Sequence, residues 1–245
     1  MRFRHATVLS LLTLFTLATF AHADDHEGKS EKNDKKEKGF SALLGEDAAQ
    51  KWIGYKTQEW PKNWKVEEGV LSRTAGGGDI MTSEKYDNFD LRFDWKISEG
   101  GNSGVLYHVS TGDAQPYKSG MEYQVLDNES HKDGGNTMTS AGSLYAMYAP
   151  TKQVVKPAGE WNTGRIVVRG NRIKHFLNGK IVVDAERNGE EWNRKLAASK
   201  FATWEKFAKN KNGHISLQDH GNDVWYRNVR IKKLKAGKQK ADNLK

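Results

Sequence analysis

Residues 100–109 read Gly100-Gly101-Asn102-Ser103-Gly104-Val105-Leu106-Tyr107-His108-Val109, and after a short polar insertion residues 120–128 read Gly120-Met121-Glu122-Tyr123-Gln124-Val125-Leu126-Asp127-Asn128. Both runs alternate with period two, as neighbouring strands of a sheet do. In the first, Val105, Tyr107 and Val109 share one face, and Gly104, Leu106 and His108 share the other. In the second, Tyr123 and Val125 oppose Glu122, Gln124 and Leu126. A strand carrying a carboxylate and an amide two residues apart ordinarily turns them to water. Two features point instead to a binding face. The polar residues are Glu, Gln and His rather than Lys, Thr and Ser, and glycines ahead of each strand allow a ligand close to the backbone.

The flanking sequence extends the β pattern. Phe89, Leu91, Phe93, Trp95 and Ile97 alternate with Asp90, Arg92, Asp94, Lys96 and Ser98. Residues 64–71 predict a hairpin through Glu68-Gly69, and Gly170-Asn171 and Asn178-Gly179 predict two more between residues 165 and 184. A strand over 214–218 turns Ile215 and Leu217 inward and sets Ser216, Gln218 and His220 on the other side. Residues 224–231 close the sheet. The triple glycine 76–78 reads as a loop, since no helix or Lys-Ser/Thr follows it to make a phosphate cradle. Between 188 and 209 the alternation stops, and Trp192, Leu196, Phe201, Trp204 and Phe207 predict one or two helical turns laid over the sheets. About a dozen short strands with one helical segment near 190–208 predict an all-β fold, an antiparallel two-sheet sandwich of the jelly-roll kind.

The ends read differently. Arg2 and Arg4, the apolar run Val8 to Phe20 and Ala21-His22-Ala23 form the n-region, h-region and cleavage site of a secretory signal, residues 1–23. At about 13 residues the apolar run is short of the ~20 that span a bilayer, so no transmembrane span is expected after cleavage. Losing Arg2 and Arg4 lowers the formal charge from +8 to +6. The chain has no cysteine, so an exported protein would fold without disulfides, and a periplasmic or cell-envelope location is expected. Residues 24–38 form a charged tether and 236–245 a basic tail, too polar to fold alone, leaving 39–235 as the domain. The basic ends read as solvated, and no nucleic-acid partner is expected. No 20–50-residue repeat is present, and nothing in the sequence specifies an oligomer.

Several separated motifs, in order, resemble one family: residues 64–71, Gly101 to Val105, Glu122 to Asp127, Leu144-Tyr145-Ala146-Met147-Tyr148-Ala149-Pro150, Lys156 to Asn162, and Gly213 to Gly221 with its Ser216-Leu217-Gln218-Asp219-His220. Over Phe40 to Leu234 the chain resembles the 3-keto-disaccharide hydrolase domain family of bacteria. The resemblance implies a concanavalin A or laminin-G-like jelly roll, a carbohydrate substrate, and cleavage of glycosides whose sugar is oxidised to a ketone at C3. Family members often carry Arg where this chain has His108.

A C3 ketone acidifies the C2 proton, and the oxygen on C1 lies β to the resulting carbanion, so cleavage by elimination and water addition needs no pair of glycosidase carboxylates. It needs a base at C2, an acid at the glycosidic oxygen and donors to the C3 carbonyl. Glu122, His220 and His108 are the catalytic candidates, with base and acid left unassigned among them. Asn102, Gln124, Gln218 and Lys156 are candidate donors, and Tyr145, Tyr148 and Trp225 candidate stacking platforms. A structural reading stands beside each: Glu122 paired with a cation, His220 a turn residue, His108 a partner of Glu122, the aromatics core. Asp127, Asn128, Asp219 and Asp223 offer oxygens for a divalent cation such as Ca²⁺, but their spacing matches no metal motif, so no metal or cofactor is assigned. Two other function classes fit the composition, a non-catalytic glycan-binding jelly roll and an envelope scaffold acting through its basic tail.

Overall fold

A computed structural model of the chain describes residues 38–74 and 76–235. The signal, all of the tether but Lys38, and the tail lie outside these residues. Thirteen strands are described: β1 (Ser41–Ala42), β2 (Trp52–Gly54), β3 (Trp64–Glu67), β4 (Val70–Arg73), β5 (Ile80–Thr82), β6 (Phe89–Ile97), β7 (Asn102–Val109), β8 (Met121–Leu126), β9 (Asn162–Arg169), β10 (Arg172–Leu177), β11 (Lys180–Glu186), β12 (His214–Leu217) and β13 (Val224–Lys233). Two short helices, α1 (Ala48–Lys51) and α2 (Glu190–Ala198), join them.

The strands form two antiparallel sheets. The larger runs β11-β10-β9-β6-β13-β4-β3, with β1 added beside β13, and the smaller runs β2-β5-β12-β7-β8. The last strand therefore does not close an edge; it enters the middle of the large sheet, between β6 and β4. Alternation sets what lies between the sheets. Phe89, Leu91, Phe93, Trp95 and Ile97 of β6 pack against Val105 and Tyr107 of β7, Tyr123 and Val125 of β8, and Ile215 and Leu217 of β12, all almost fully buried. Asn178 and Gly179 have φ of 47° and 76°, the two positive values that a two-residue turn between twisted strands requires. Asn178 fits for a second reason: its amide donates to Val154 O (2.7 Å) and Asn162 Oδ1 (2.8 Å).

The β7–β12 pairing breaks the simple alternation. His214 pairs with Val109 but Ser216 pairs with Leu106, so two residues of β7, Tyr107 and His108, oppose one on β12. This is a β-bulge, with His108 at φ 56°. The extra residue turns His108 to the core side beside Tyr107 and Phe89, and moves Val109 to the outer face with Leu106, Met81 and Tyr55. The assignment of Val109 to the inner face and His108 to the outer is thereby reversed.

Candidate active site

The outer face of the small sheet carries a polar cavity enclosing about 210 Å³, lined by Asn102, Tyr117, Gly120, Glu122, Gln124, Asp133, Tyr145, Lys200, Phe201, Phe207, Gln218 and His220. Glu122 and Gln124 arrive on β8, Asn102 on β7, and Gln218 and His220 on the loop after β12. Glu122, Gln124 and Asn102 hold the outward phase of their strands, and the loop after β12 carries Gln218 and His220 to the same side.

Local packing fixes these groups. Gly104 lies on β7 directly opposite Gln124, and its missing Cβ is the space into which the Glu122 carboxyl folds; a Cβ there would sit 2.9 Å from Glu122 Cδ and closer to Oε1. The Gln124 amide, oriented so that its nitrogen meets acceptors, donates to Ser103 O (3.2 Å) and Glu122 Oε1 (3.1 Å). Gln218 N donates to Gly104 O at 2.9 Å. Residues 142–145 run along the β8 edge, where Tyr145 N donates to Glu122 O (3.1 Å) and Gly142 N to Gln124 O (2.9 Å).

The His220 loop is braced by its neighbour. The Asp219 carboxylate accepts from Gly77 N and Gly78 N (2.8 Å each) and Gly221 N (3.0 Å), and lies 2.6 Å from Arg73 Nε. The triple glycine thus cradles an anion, but a carboxylate of the same chain. Asp219 N in turn donates to Asp79 Oδ1 (2.8 Å). Burial pushes Asp79 up to about 6, with the Asp219 hydrogen bond opposing.

The cavity shifts its titratable groups in opposite senses. Burial pushes the Glu122 carboxyl up to about 8, against the pull of Lys200 and with a small push from Asp79. His220 is exposed at the edge of the cavity, and partial desolvation there pushes it below its ordinary value, assisted by His131, whose ring centroid lies 6.2 Å away, and opposed by Asp133. At neutral pH the histidine is an unprotonated imidazole and the glutamate mostly an uncharged acid. Burial also lowers Lys200 and lifts Tyr145 to about 12.

Four sequence candidates lie elsewhere. His108, turned inward by the bulge, hydrogen-bonds Asp87 O through Nε2 (2.8 Å) and meets Arg187 Nη1 through Nδ1 (3.3 Å). Burial holds it down at about 4, a neutral core histidine. Tyr148 packs on Trp192 (6.0 Å between centroids) beneath Lys195. Lys156 donates through Nζ to Trp161 O (3.0 Å), outside the cavity. Trp225 sits on the outer face of the large sheet under Lys96 (4.5 Å), across the sandwich from the cavity. Conversely, Tyr117 and Asp133 come from single 3₁₀ turns, and Lys200, Phe201 and Phe207 from the stretch after α2, where spacing carries no period. The run of aromatic residues from Trp192 to Phe207, which predicts helical turns laid over the sheets, is the one signal that bears on them.

The oxygens weighed for a divalent cation are engaged separately. Asp127 accepts from Gly100 N (2.8 Å) and Glu129 N (3.1 Å), Asp219 is held as above, and Asn128 Oδ1 accepts from Ala141 N (2.8 Å). Among the described residues no group of three or more His, Asp or Glu side chains is placed to hold a metal. No helix among them is long and apolar enough to cross a membrane.

A two-sheet antiparallel sandwich with a cavity on one outer face, lined by the Glu122 and Asp133 carboxyls, the His220 imidazole and three amides, defines an all-β protein of the jelly-roll class. At the level of fold alone it is similar to a Bacillus subtilis protein of galectin-like fold (TM-score 0.52, 11% identity, 81% of this chain and 96% of that one). The chain belongs to the family of 3-keto-alpha-glucoside-1,2-lyase-like domains, whose model matches residues 39–232. It is 34% identical over 228 residues to the 3-keto-disaccharide hydrolase of Bacteroides thetaiotaomicron, covering 80% of this chain and 79% of that one. It is also similar to a crystal structure from Parabacteroides distasonis provisionally described as a glycosyl hydrolase (TM-score 0.75, 32% identity, 80% of this chain and 94% of that one).

Proposed function

We propose that this protein cleaves the glycosidic bond of glycosides oxidised to a ketone at C3, beginning with removal of the C2 proton. The observation that carries the reading is one small cavity in which His220 is lowered and Glu122 raised, so that a base and an acid coexist at neutral pH. The names of the family and of its Bacteroides relative support the substrate class.

In this scheme neutral His220 takes the C2 proton. Charge developing on the C3 oxygen is met by N–H donors of Asn102 and Gln218, while Gln124, its amide N–H groups given to Ser103 O and Glu122 Oε1, positions the acid. The C1–O bond breaks and Glu122 gives its proton to the departing oxygen, leaving a C1=C2 double bond conjugated with the ketone. Glu122, now a carboxylate, takes a proton from water as the hydroxyl adds to C1, and His220, its captured proton exchanged with solvent while the alcohol leaves and water enters, protonates C2. The products are a 3-keto sugar and a free alcohol, and both residues regain their starting states. Export through the signal would place this activity in the periplasm or cell envelope.

The test is to incubate purified protein with a 3-keto-disaccharide and with its unoxidised parent and follow release of the second sugar. Release from the keto form alone supports the reading. Equal rates on both would remove the C2 step, and binding without release from either would leave a glycan-binding module.

A further inference from the structure

The cavity is smaller than the ~300 Å³ at which drug-sized ligand pockets begin, so it has room for one ring. Whatever leaves C1 must therefore rest at its mouth. Two segments give Tyr117, Lys200, Phe201 and Phe207 to the cavity wall and continue beyond it. One is the 3₁₀ turn Pro116–Lys118 between β7 and β8, and the other is the stretch 199–210 that follows α2. They are fastened together by Ala208 N donating to Ser119 O (2.9 Å) and by the Lys206–Asp113 ion pair (2.9 Å).

Their contact brings cations onto aromatic faces. Tyr117 and Phe201, both in the cavity wall, pack against Trp204 at 6.0 and 5.0 Å between centroids. Lys118 Nζ lies 3.8 Å from the Trp204 ring centre, and Lys200 Nζ lies 4.3 Å from that of Tyr145, 5.2 Å from Phe201 and 5.9 Å from Trp204. Two ammonium groups thus converge on one indole. Among the described residues neither has a carboxylate within ion-pair distance; Asp133 and Glu122 act on Lys200 from farther off, and Asp113 is engaged by Lys206. Lys118 is partly buried and Lys200 exposed, and the Lys118 charge is one of the influences that lower Lys200. Aromatic faces hold each cation weakly and do nothing to relieve the repulsion between them. An anion between the two would.

We propose that the rim of Tyr117, Lys118, Lys200 and Trp204 receives the leaving half of the substrate and selects a leaving group that carries negative charge, as a carboxylate or a phosphate. This rests on reading the cavity as the site of glycoside cleavage. The lysines act by charge complementarity, which raises the encounter rate and penalises a neutral competitor.

The test uses three 3-keto-glucosides differing in the aglycone: 4-hydroxybenzoate, its neutral methyl ester, and 4-hydroxyphenyl phosphate. The readout is the ratio of kcat/KM for each anion to that for the ester, compared between wild type and Lys118→Met/Lys200→Met, since intrinsic reactivity cancels in that comparison. The ratio is expected to fall by about tenfold in the variant, and in wild type when salt is raised to 1 M. A fall for only one anion identifies which chemistry the rim takes. A ratio unchanged by the substitutions overturns the proposal. Should no glycoside turn over, calorimetric titration with the free acids and the free ester decides separately. Acids that bind more tightly than the ester, with an advantage lost in the variant, sustain the rim while the reaction falls. Equal binding overturns the rim.

Discussion

Gly104→Ala is expected to disable the site while leaving the sandwich intact. The added Cβ would stand 2.9 Å from Glu122 Cδ and nearer still to its Oε1, against the ~3.5 Å at which carbon and its neighbours rest. The backbone of β7 is pinned on both sides, by β8 and β12, so the side chain must yield, and its carboxyl oxygen must move by about an ångström. A misplacement of that size in a reacting group costs on the order of 10²-fold in rate. Stability should change little, because Glu122 opens onto a cavity and can swing away without displacing packed atoms. The assay is kcat/KM on a 3-keto-disaccharide alongside thermal unfolding, with Glu122→Gln as reference. Activity within threefold of wild type would refute the assignment of Glu122 to the reacting geometry. A Tm loss as large as that of a core truncation would show instead that the glycine serves packing.

The pH profile of kcat/KM should be bell-shaped, rising as His220 loses its proton below its ordinary 6.5 and falling as Glu122 ionises near 8; a flat profile from 6 to 9 would exclude the pair. Because the folded state raises Glu122 from 4.5 to about 8, folding binds a proton there, and the stability linked to it is lost as pH rises through that window. Glu122→Gln should therefore raise Tm by several degrees at pH 9 and by nothing at pH 4, measured by calorimetry. His108 and His175 are both held near 4, so the unfolded chain takes up their protons first as pH drops from 6.5 to 4; stability should fall across that range, and less steeply in His108→Gln. Asn178→Gly keeps the turn but loses the side-chain bonds to Val154, Asn162 and Thr163, and should cost ~2–3 kcal/mol in urea unfolding, whereas Asn178→Pro should not fold.

The fold was legible because two-residue alternation is a local property. The β6 run and the Asn178-Gly179 turn each carry their structure within ten residues, and strand phase allowed Glu122, Gln124, Gln218 and His220 a common face, though only the fold brings them together. What was not legible depends on a single inserted residue or on tertiary placement. The bulge opposite β12 leaves no mark in the β7 sequence, yet it moves His108 from the expected binding face into the core. Trp225 alternates as expected, but phase cannot say which of two sheets a strand joins, and its sheet is the one away from the cavity. Lys200 sits on a loop and Asp133 in a single 3₁₀ turn, where the order of residues carries no period. The role of Gly77 and Gly78 became visible only with Asp219 placed against them, 141 residues and more away in sequence.

Elimination and direct hydrolysis give the same products but treat the C2 hydrogen differently. Single-turnover cleavage of a 3-keto-disaccharide in D₂O, quenched before free 3-keto sugar exchanges by itself, separates them by the mass of the released keto sugar. Abstraction by His220 followed by water addition predicts one solvent-derived deuterium at C2. Release of the sugar with its original C2 hydrogen intact would contradict proton removal at C2, and with it the assignment of the cavity's base and acid.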